Sequence, residues 1–258
     1  MVVTSASPAE KVVAIIQARM GSTRLPGKVM LSVHGVTVLE WVIRRVRACR
    51  WVDETVVATT RAPEDDVVVA TAARAGALTF RGSVSNVLSR YCAVAMARAA
   101  TAIVRVTADC PLFDPALLTA MLERWFALRA AGEPIDYLAN TWNGRTWPRG
   151  LDAEIVSRAA LTRVCLQARK PYELEHVTPY IYQHPEAFRL RGFPGTNDLS
   201  HHRWTLDTRA DWALIEAIYR ALGDETHLFP TADVLDFLAA HPELSTLNAH
   251  IQPKRLGE

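Results

Sequence analysis

The residues best suited to chemistry cluster in one loop near the start of the chain, where residues 17–28 read QARMGSTRLPGK. The loop carries three cations, Arg19, Arg24 and Lys28. Small residues lie between them, namely Gly21, Ser22 and Gly27. Backbone N–H groups and cationic side chains of this kind can together hold a polyphosphate. A solvated basic turn is the alternative, since the spacing matches neither the Walker A loop nor GxGxxG.

Two aspartates at the ends of strand-like segments could also do chemistry. Asp109 comes just after the run AIVRVT, and Asp207 comes directly after RWTL. Mg²⁺ prefers one or two carboxylates together with phosphate oxygens and water, so this pair could hold a metal beside the basic loop. An aspartate that caps a turn is the alternative interpretation. Asp114 and Asp211 stand at predicted helix starts, and we interpret them as a helix cap and a first-turn charge.

The segments that must position these residues alternate between strand and helix in the first half of the chain. Apolar, β-branched runs predict strands at residues 12–17, 53–60, 78–81 and 102–107. Helical spacing and helix-start signals predict helices at residues 37–49, 63–75, 85–100 and 115–129. Such alternation predicts an α/β fold with a mostly parallel sheet flanked by helices. Ligands bind at the carboxyl ends of the strands in such sheets, where the basic loop and Asp109 fall.

The second half of the chain follows a different pattern. Residues 136–156 mix Trp, Asn, Gly and Pro with strand-like ends, which predicts an inserted β-hairpin arm. A strand is predicted at residues 203–206, ending at Asp207. Helices are predicted at residues 157–170, where Ser157 is the cap, 210–222 and 231–240. We find no linker and no internal repeat, so a single domain is expected over residues 1–258.

Composition and charge exclude several classes of protein. The chain has 258 residues, of which 50% are hydrophobic and 22% charged, so it can bury a core and is not disordered. Lys plus Arg number 29 and Asp plus Glu 27, a balance that gives no case for nucleic-acid binding. No apolar run approaches the ~20 residues of a membrane helix, and the chain start lacks a secretion signal. We therefore expect a cytoplasmic protein with no membrane partner.

The four cysteines, Cys49, Cys92, Cys110 and Cys165, lie far apart in the sequence. They form no CxxC pair, which argues against a zinc ribbon or a thioredoxin-type site. We therefore expect buried free thiols in a reducing compartment.

Six motifs occur in the order seen in one known family. They are QARMGSTRLPGK, FRGSVSNVLSRY, RVTADCPLFDP, GLDAEIVS, EHVTPYIY and RWTLDT. Over roughly residues 12–220 the chain resembles the spore-coat polysaccharide cytidylyltransferase-like family, which is related to the acylneuraminate and ketodeoxyoctonate cytidylyltransferases. The resemblance implies a Rossmann-like nucleotide-diphospho-sugar transferase fold, CTP as donor, Mg²⁺ as cofactor, and a CMP-linked product released with pyrophosphate. It also implies a homodimer in which the arm crosses to the partner, and a role in nucleotide-sugar and polysaccharide biosynthesis.

Site residues follow from the same resemblance, position by position. Those on the nucleotide are Arg19, Ser22, Arg24, Lys28, Thr59, Gly82 and Ser83. Those on the metal are Asp109 and Asp207, which with Arg19 and Lys28 form the catalytic set. Those on the acceptor side are Asp152, Glu154 and His176. His176 would contact the acceptor or act as a base near neutral pH, and a hydrogen-bonded structural histidine is the alternative.

The sequence departs from the family pattern at two positions. The family commonly has an acid where Asn86 stands and an Arg where Leu174 stands. The missing Arg removes a possible bidentate contact with a carboxylate or phosphate of the acceptor. We expect a cytidylyltransferase that uses an acidic sugar or a related anionic small molecule. Two alternatives stay open: a nucleotidyltransferase of the same fold acting on a sugar or polyol phosphate, a phosphonate or an amino acid, and a non-catalytic nucleotide-binding subunit.

Overall fold

A mixed sheet of seven strands runs through residues 10–252, the part of the chain that the computed structural model describes. The strands are β1 Val12–Gln17, β2 Ser32–Val33, β3 Val36–Thr37, β4 Glu54–Thr60, β5 Leu78–Gly82, β6 Ala102–Thr107, β7 Tyr137–Ala139, β8 Glu154–Ser157 and β9 Leu190–Gly192. The sheet has the order β5-β4-β1-β6-β8-β7-β9, and β2 and β3 form a separate hairpin. Strands β1, β4, β5 and β6 run parallel, whereas β8 is antiparallel to β6 and β7. The predicted α/β fold with a mostly parallel sheet is confirmed.

Helices cover both faces of this sheet. They are α1 Val38–Arg47, α2 Asp66–Arg74, α3 Val87–Ala97, α4 Pro115–Ala130, α5 Arg158–Gln167, α6 Pro171–His176, α7 Pro179–Tyr182, α8 Arg209–Leu222, α9 Thr231–Ala240 and α10 Pro242–Thr246. The predicted caps are present, because Asp114 accepts a hydrogen bond from Ala116 N at the start of α4 and Ser157 accepts one from Ala160 N at the start of α5. A side chain that accepts these otherwise unpaired N–H groups fixes where each helix begins.

The sequence of β1 explains why the core lies on both faces of the sheet. Its first five residues are all buried. Val12 and Ala14 pack in one cluster with side chains of α1, α4 and α8, whereas Val13 and Ile15 pack in another with side chains of α3 and α5. Successive side chains of a strand point to opposite faces, so a continuous apolar run buries both. The strand ends are therefore held between two packed layers.

The predicted hairpin at residues 136–156 is present, and its strands belong to the main sheet. β7 and β8 pair with each other in antiparallel register, and β8 also pairs with β6. The connection between β7 and β8 leaves the sheet and returns along the segment that precedes α8.

The prediction of a strand at residues 203–206 is wrong. This segment makes one isolated bridge, in which Arg203 lies opposite Arg149 of the β7–β8 connection. Gly150 has a φ of +109°, and a Cβ atom there would lie 2.6 Å from the carbonyl carbon of Trp204. Only glycine allows both the backbone conformation and the close approach. The β7–β8 connection therefore lies backbone to backbone against this segment.

The prediction of free thiols fails for two of the four cysteines. Cys92 of α3 and Cys165 of α5 form a disulfide across 73 residues of sequence. Cys49 and Cys110 are free and buried, as predicted. The pairing depends on the packing of α3 beside α5, which the spacing of cysteines along the chain does not reveal.

Within residues 10–252 we find no helix that is both long and apolar enough to span a membrane. The chain start, on which the prediction about a secretion signal rests, lies outside the described residues.

Candidate active site

Three of the predicted side chains meet at one point beyond the ends of the parallel strands. Lys28 ends the basic loop that follows β1, Asp109 follows β6, and Asp207 precedes α8. The Lys28 Nζ atom donates to Asp109 Oδ2 at 2.6 Å and to Asp207 Oδ1 at 2.9 Å. It also donates to the carbonyl oxygen of Leu206 at 2.8 Å. The structure therefore brings together the basic loop and the two acids, as the strand-end rule predicts.

Asp207 is the most heavily paired group of this cluster. Its Oδ2 atom accepts a hydrogen bond from Arg203 Nη2 and forms an ion pair with Arg24 Nη2, each at 2.9 Å. Burial alone would raise the pKa of the Asp207 carboxyl, but Lys28, followed by Arg24 and Arg203, outweighs burial and lowers it. Burial alone would likewise lower the pKa of Lys28, but Asp109 and Asp207 raise it. Lys28 is therefore a cation and Asp207 an anion at neutral pH.

The basic loop is fixed by a buried acid that the sequence analysis missed. Asp65 is 1% exposed, and its Oδ1 atom accepts from Met20 N at 2.7 Å. Its Oδ2 atom accepts from both the backbone N and the hydroxyl of Thr60 at the end of β4. Gly27, with a φ of +70°, then turns the chain into Lys28. Asp65 stands at the start of a predicted helix, and nothing in the sequence there indicates that its carboxylate contacts the basic loop.

The other predicted phosphate ligands of the loop do not contact the two aspartates. Arg19 Nη2 lies 3.7 Å from Glu175 Oε1, and its side chain is 40% exposed. Ser22 Oγ accepts from Leu25 N within the loop. The loop thus divides into an outer part, which holds Arg19 and Ser22, and an inner part, in which Arg24 and Lys28 contact the acids.

The residues predicted near cytosine and ribose lie at the ends of β4 and β5. The Thr59 side chain is fully buried, and its hydroxyl has no hydrogen-bond partner among the described residues. A Cβ atom at Gly82 would lie 2.7 Å from Arg90 Cγ, so this position needs glycine. Ser83 Oγ accepts from Asn86 N, and Asn86 caps α3. Ser83 is exposed and Gly82 half-buried, so a ligand could reach both, whereas the Thr59 side chain is covered.

Two of the three residues predicted on the acceptor side, Asp152 and Glu154, are already paired within the chain. Arg145 donates to both carboxylate oxygens of Asp152. Glu154 is 7% exposed and accepts from Arg105 Nη1, Tyr137 Oη and Thr178 Oγ1, all at 2.8–2.9 Å. These three donors take up the carboxylate oxygens of Glu154. Glu154 can therefore affect the acceptor substrate only through the side chains that it holds in place.

His176 stands at the end of α6 and is half-buried. Burial lowers its pKa below the ordinary value of 6.5. The imidazole is therefore neutral at pH 7, the form in which one ring nitrogen can accept a proton.

The chemistry of the donor set decides whether a metal fits between the two aspartates. Asp109 and Asp207 turn carboxylate oxygens toward one cation, the Lys28 ammonium, and the carbonyl of Leu206 points there too. Such oxygen donors suit a hard divalent ion. Within residues 10–252 no group of three or more His, Cys, Asp or Glu side chains forms a metal site. The residues fit an ion that takes its remaining ligands from substrate phosphates and water, as Mg²⁺ does.

Comparison with known proteins identifies a family that matches most of the chain. The cytidylyltransferase family model matches residues 13–220. The spore coat polysaccharide biosynthesis protein SpsF of Bacillus subtilis strain 168 is 33% identical over 239 residues, which cover 90% of this chain and 95% of SpsF.

Two solved structures extend the comparison. A cytidylyltransferase from Leptospira borgpetersenii matches with a TM-score of 0.86 at 31% identity, over 95% of this chain and 100% of that one. The complex of CMP:2-keto-3-deoxy-manno-octonic acid synthetase with CTP matches with a TM-score of 0.63 at 18% identity, over 82% of this chain and 99% of that one. At this identity the second match shows a shared fold.

Proposed function

Because the chain belongs to the cytidylyltransferase family, we propose that it transfers CMP from CTP to an acidic sugar or a related anionic small molecule and releases pyrophosphate. One observation carries the proposal, which is the position of Lys28 between Asp109 and Asp207 at the ends of the parallel strands. In this proposal, the cations that would contact the phosphates lie beside the carboxylates that would hold a metal, where both could oppose the charge that develops on the leaving group.

The reaction makes one bond and breaks one. An acceptor oxygen bonds to the α-phosphorus of CTP while the bond from that phosphorus to the oxygen of the leaving pyrophosphate breaks. The proton of an acceptor hydroxyl passes to solvent. Little covalent work falls to the protein in such chemistry, so catalysis depends on positioning and on neutralising charge.

The basic loop supplies the fixed positive charge. Lys28 and Arg24 already lie at the point where the phosphates would meet the acids, and Arg19 lies on the outer part of the loop. These cations oppose the negative charge that develops on the leaving pyrophosphate. Because Asp65 fixes Met20, the loop needs little reorganisation when the triphosphate arrives.

Asp109 and Asp207 would hold the divalent metal, for which we propose Mg²⁺. When bound, the ion would neutralise charge on the phosphate oxygens and stabilise the leaving group. Three cationic side chains contact Asp207, so this carboxylate stays ionised and oriented before any metal binds.

On the acceptor side, supporting observations are fewer. Asp152 and His176 lie on separate segments, and Glu154 holds Arg105 and Thr178 in place. We propose that Asp152 and His176 contact the acceptor, with Glu154 acting indirectly. The name of the relative SpsF supports a role in polysaccharide biosynthesis. A homodimer and a cytoplasmic location stay predictions.

The test is pyrophosphate release with CTP, Mg²⁺ and a panel of acceptors that includes acidic sugars, sugar and polyol phosphates, phosphonates and amino acids. The other three nucleoside triphosphates are run in parallel. We expect release with CTP and an acidic sugar. CTP binding without release for any acceptor would instead indicate a non-catalytic nucleotide-binding subunit.

A variant ties the activity to the site. Asp109→Asn should lower turnover by ~10²-fold, as loss of one group that stabilises a transition state does. Asp114→Asn is the matched control, because this nearby acid caps α4 and does not contact Lys28. Near wild-type turnover of folded Asp109→Asn would contradict the assignment.

A further inference from the structure

The carboxylate of Asp211 accepts more hydrogen bonds than a helix cap requires. Thr208 and Asp211 form a capping box at the start of α8. Asp211 is fully buried and also accepts from Arg203 Nε at 2.9 Å, from Asp207 N at 3.0 Å and from Asn248 Nδ2 at 2.9 Å. A capping box needs only the bonds between its own two residues. The additional donors connect the start of α8 to Asp207 and to the C-terminal part of the chain.

Arg203 links Asp211 to Asp207, the acid of the candidate metal site. Its Nε atom donates to Asp211 Oδ1, and its Nη2 atom donates to Asp207 Oδ2 at 2.9 Å. The Oδ2 atom of Asp207 is thus held by Arg203 together with Arg24, while its Oδ1 atom faces Lys28. Of these two arginines, Arg203 is the one whose position is fixed by Asp211, so the direction in which Asp207 presents its Oδ1 atom depends in part on Arg203.

Asn248 contacts both Arg203 and Asp211, and it lies outside the part of the chain that the family model matches. It follows α10, is 3% exposed, and its Nδ2 group donates to the Arg203 carbonyl at 2.8 Å and to Asp211 Oδ1. Both partners are acceptors only, so the side chain at this position must be a donor. The family match ends at residue 220, so nothing in it assigns a role to this asparagine.

We propose that Asn248 is a positioning residue, which holds Asp207 in its metal-binding orientation through Asp211 and Arg203. The proposal rests on the proposed function, because it takes Asp207 as a ligand of the divalent ion. Residues that hold metal ligands in place change metal affinity when they are replaced. The C-terminal segment that carries Asn248 therefore contributes to the orientation of Asp207.

The experiment measures Mn²⁺ affinity of the full chain in the presence of CTP, by the loss of the free-ion signal in electron paramagnetic resonance beyond the loss that the same concentration of CTP causes without protein. Asn248→Ala removes the donor and should weaken Mn²⁺ binding about threefold to tenfold, the effect of losing one typical intramolecular hydrogen bond. Asn248→Asp keeps the shape of the side chain but places a carboxylate oxygen against the Arg203 carbonyl and the Asp211 carboxylate. This variant should weaken Mn²⁺ binding further. Asn248→Ser keeps one donor and should partly restore the affinity.

Thr231→Ala is the matched control. Thr231 docks the start of α9 on Asp114, so its loss also destabilises the C-terminal segment but touches neither Arg203 nor Asp211. We expect Thr231→Ala to lower the melting temperature and leave the Mn²⁺ affinity unchanged. Equal Mn²⁺ weakening in Thr231→Ala and Asn248→Ala would show a merely structural role and overturn the proposal.

Unchanged Mn²⁺ affinity in folded Asn248→Ala would also overturn it. If Asn248→Asp does not fold, the comparison of Ala with Ser still decides. Failure of the proposed function has a different signature, in which the wild-type chain neither binds Mn²⁺ with CTP nor releases pyrophosphate. In that case Asp207 is not a metal ligand, and both the proposed function and the proposed role of Asn248 are wrong.

Discussion

Lys28 occupies the point between Asp109 and Asp207 at which a divalent ion would bind, so its removal should act in opposite directions on metal binding and on turnover. In the variant Lys28→Met, a metal that binds without nucleotide no longer has to displace an ammonium group from the two acids. Turnover, in contrast, loses a cation that opposes charge on the phosphates. We therefore expect tighter metal binding and slower chemistry in one variant.

The size of the first effect follows from the two ion pairs. The Lys28 side chain is 12% exposed, and those of Asp109 and Asp207 are 24% and 17% exposed, so water screens the pairs only in part. We take about 1 kcal/mol for each pair, the upper end of the range for exposed pairs. Since 1.4 kcal/mol is a tenfold change in affinity, about 2 kcal/mol corresponds to tighter Mn²⁺ binding by roughly ten- to thirtyfold. Turnover should fall by ~10²-fold.

Calorimetric titration with Mn²⁺ at pH 7 and without CTP measures the first effect, and pyrophosphate release measures the second. Lys11→Met is the matched control, because Lys11 pairs with Glu54 and does not contact the two acids. It should change neither quantity.

Two outcomes would refute the reasoning. If folded Lys28→Met binds Mn²⁺ no more tightly than the wild-type chain, the ammonium does not compete with the metal for the acids. If its turnover stays near that of the wild type, Lys28 does not act on the phosphates.

Three further predictions concern other parts of the chain. Asp65→Ala frees Met20 N and should weaken CTP binding about tenfold in a calorimetric titration, since a loop that is no longer fixed must be ordered on binding; unchanged affinity would show that the anchor is dispensable. Thiol titration of the denatured, unreduced chain should find two free thiols, and Cys92→Ser should lower the free energy of unfolding by about 2–4 kcal/mol; four free thiols would exclude the bond to Cys165. Below pH 6.5 the unfolded chain protonates His176 before the folded chain does, so stability drops as pH falls through this value, and His176→Gln should make the free energy of unfolding less dependent on pH there.

The elements that depend on local pattern could be predicted from the sequence. The run VVAIIQ gave β1 with the observed bounds, because a strand buried on both faces needs an unbroken apolar run. The meeting of Lys28 with Asp109 followed from a general rule about strand ends in parallel sheets. Both inferences use information that lies within a few residues of the position concerned.

Features that depend on packing between distant segments could not be predicted. The segment RWTL has the composition of a strand but finds a partner only at Arg203, because β-propensity reports packing more than backbone preference. Cys92 pairs with a cysteine 73 residues away because two helices lie side by side. Asp65 and Asn248 act on residues far along the chain, and neither stands in a motif that marks such a contact.

The backbone contact at Gly150 couples the β7–β8 connection to one acid of the candidate site. Arg149 N donates to the carbonyl of His202, and Trp204 N donates to the carbonyl of Arg149, so the β7–β8 connection is bonded to the segment that leads into Asp207. Displacement of the β7–β8 connection would therefore act on the same backbone that carries Asp207. A residue with a Cβ atom at position 150 would push the two segments apart and disturb the orientation of that carboxylate.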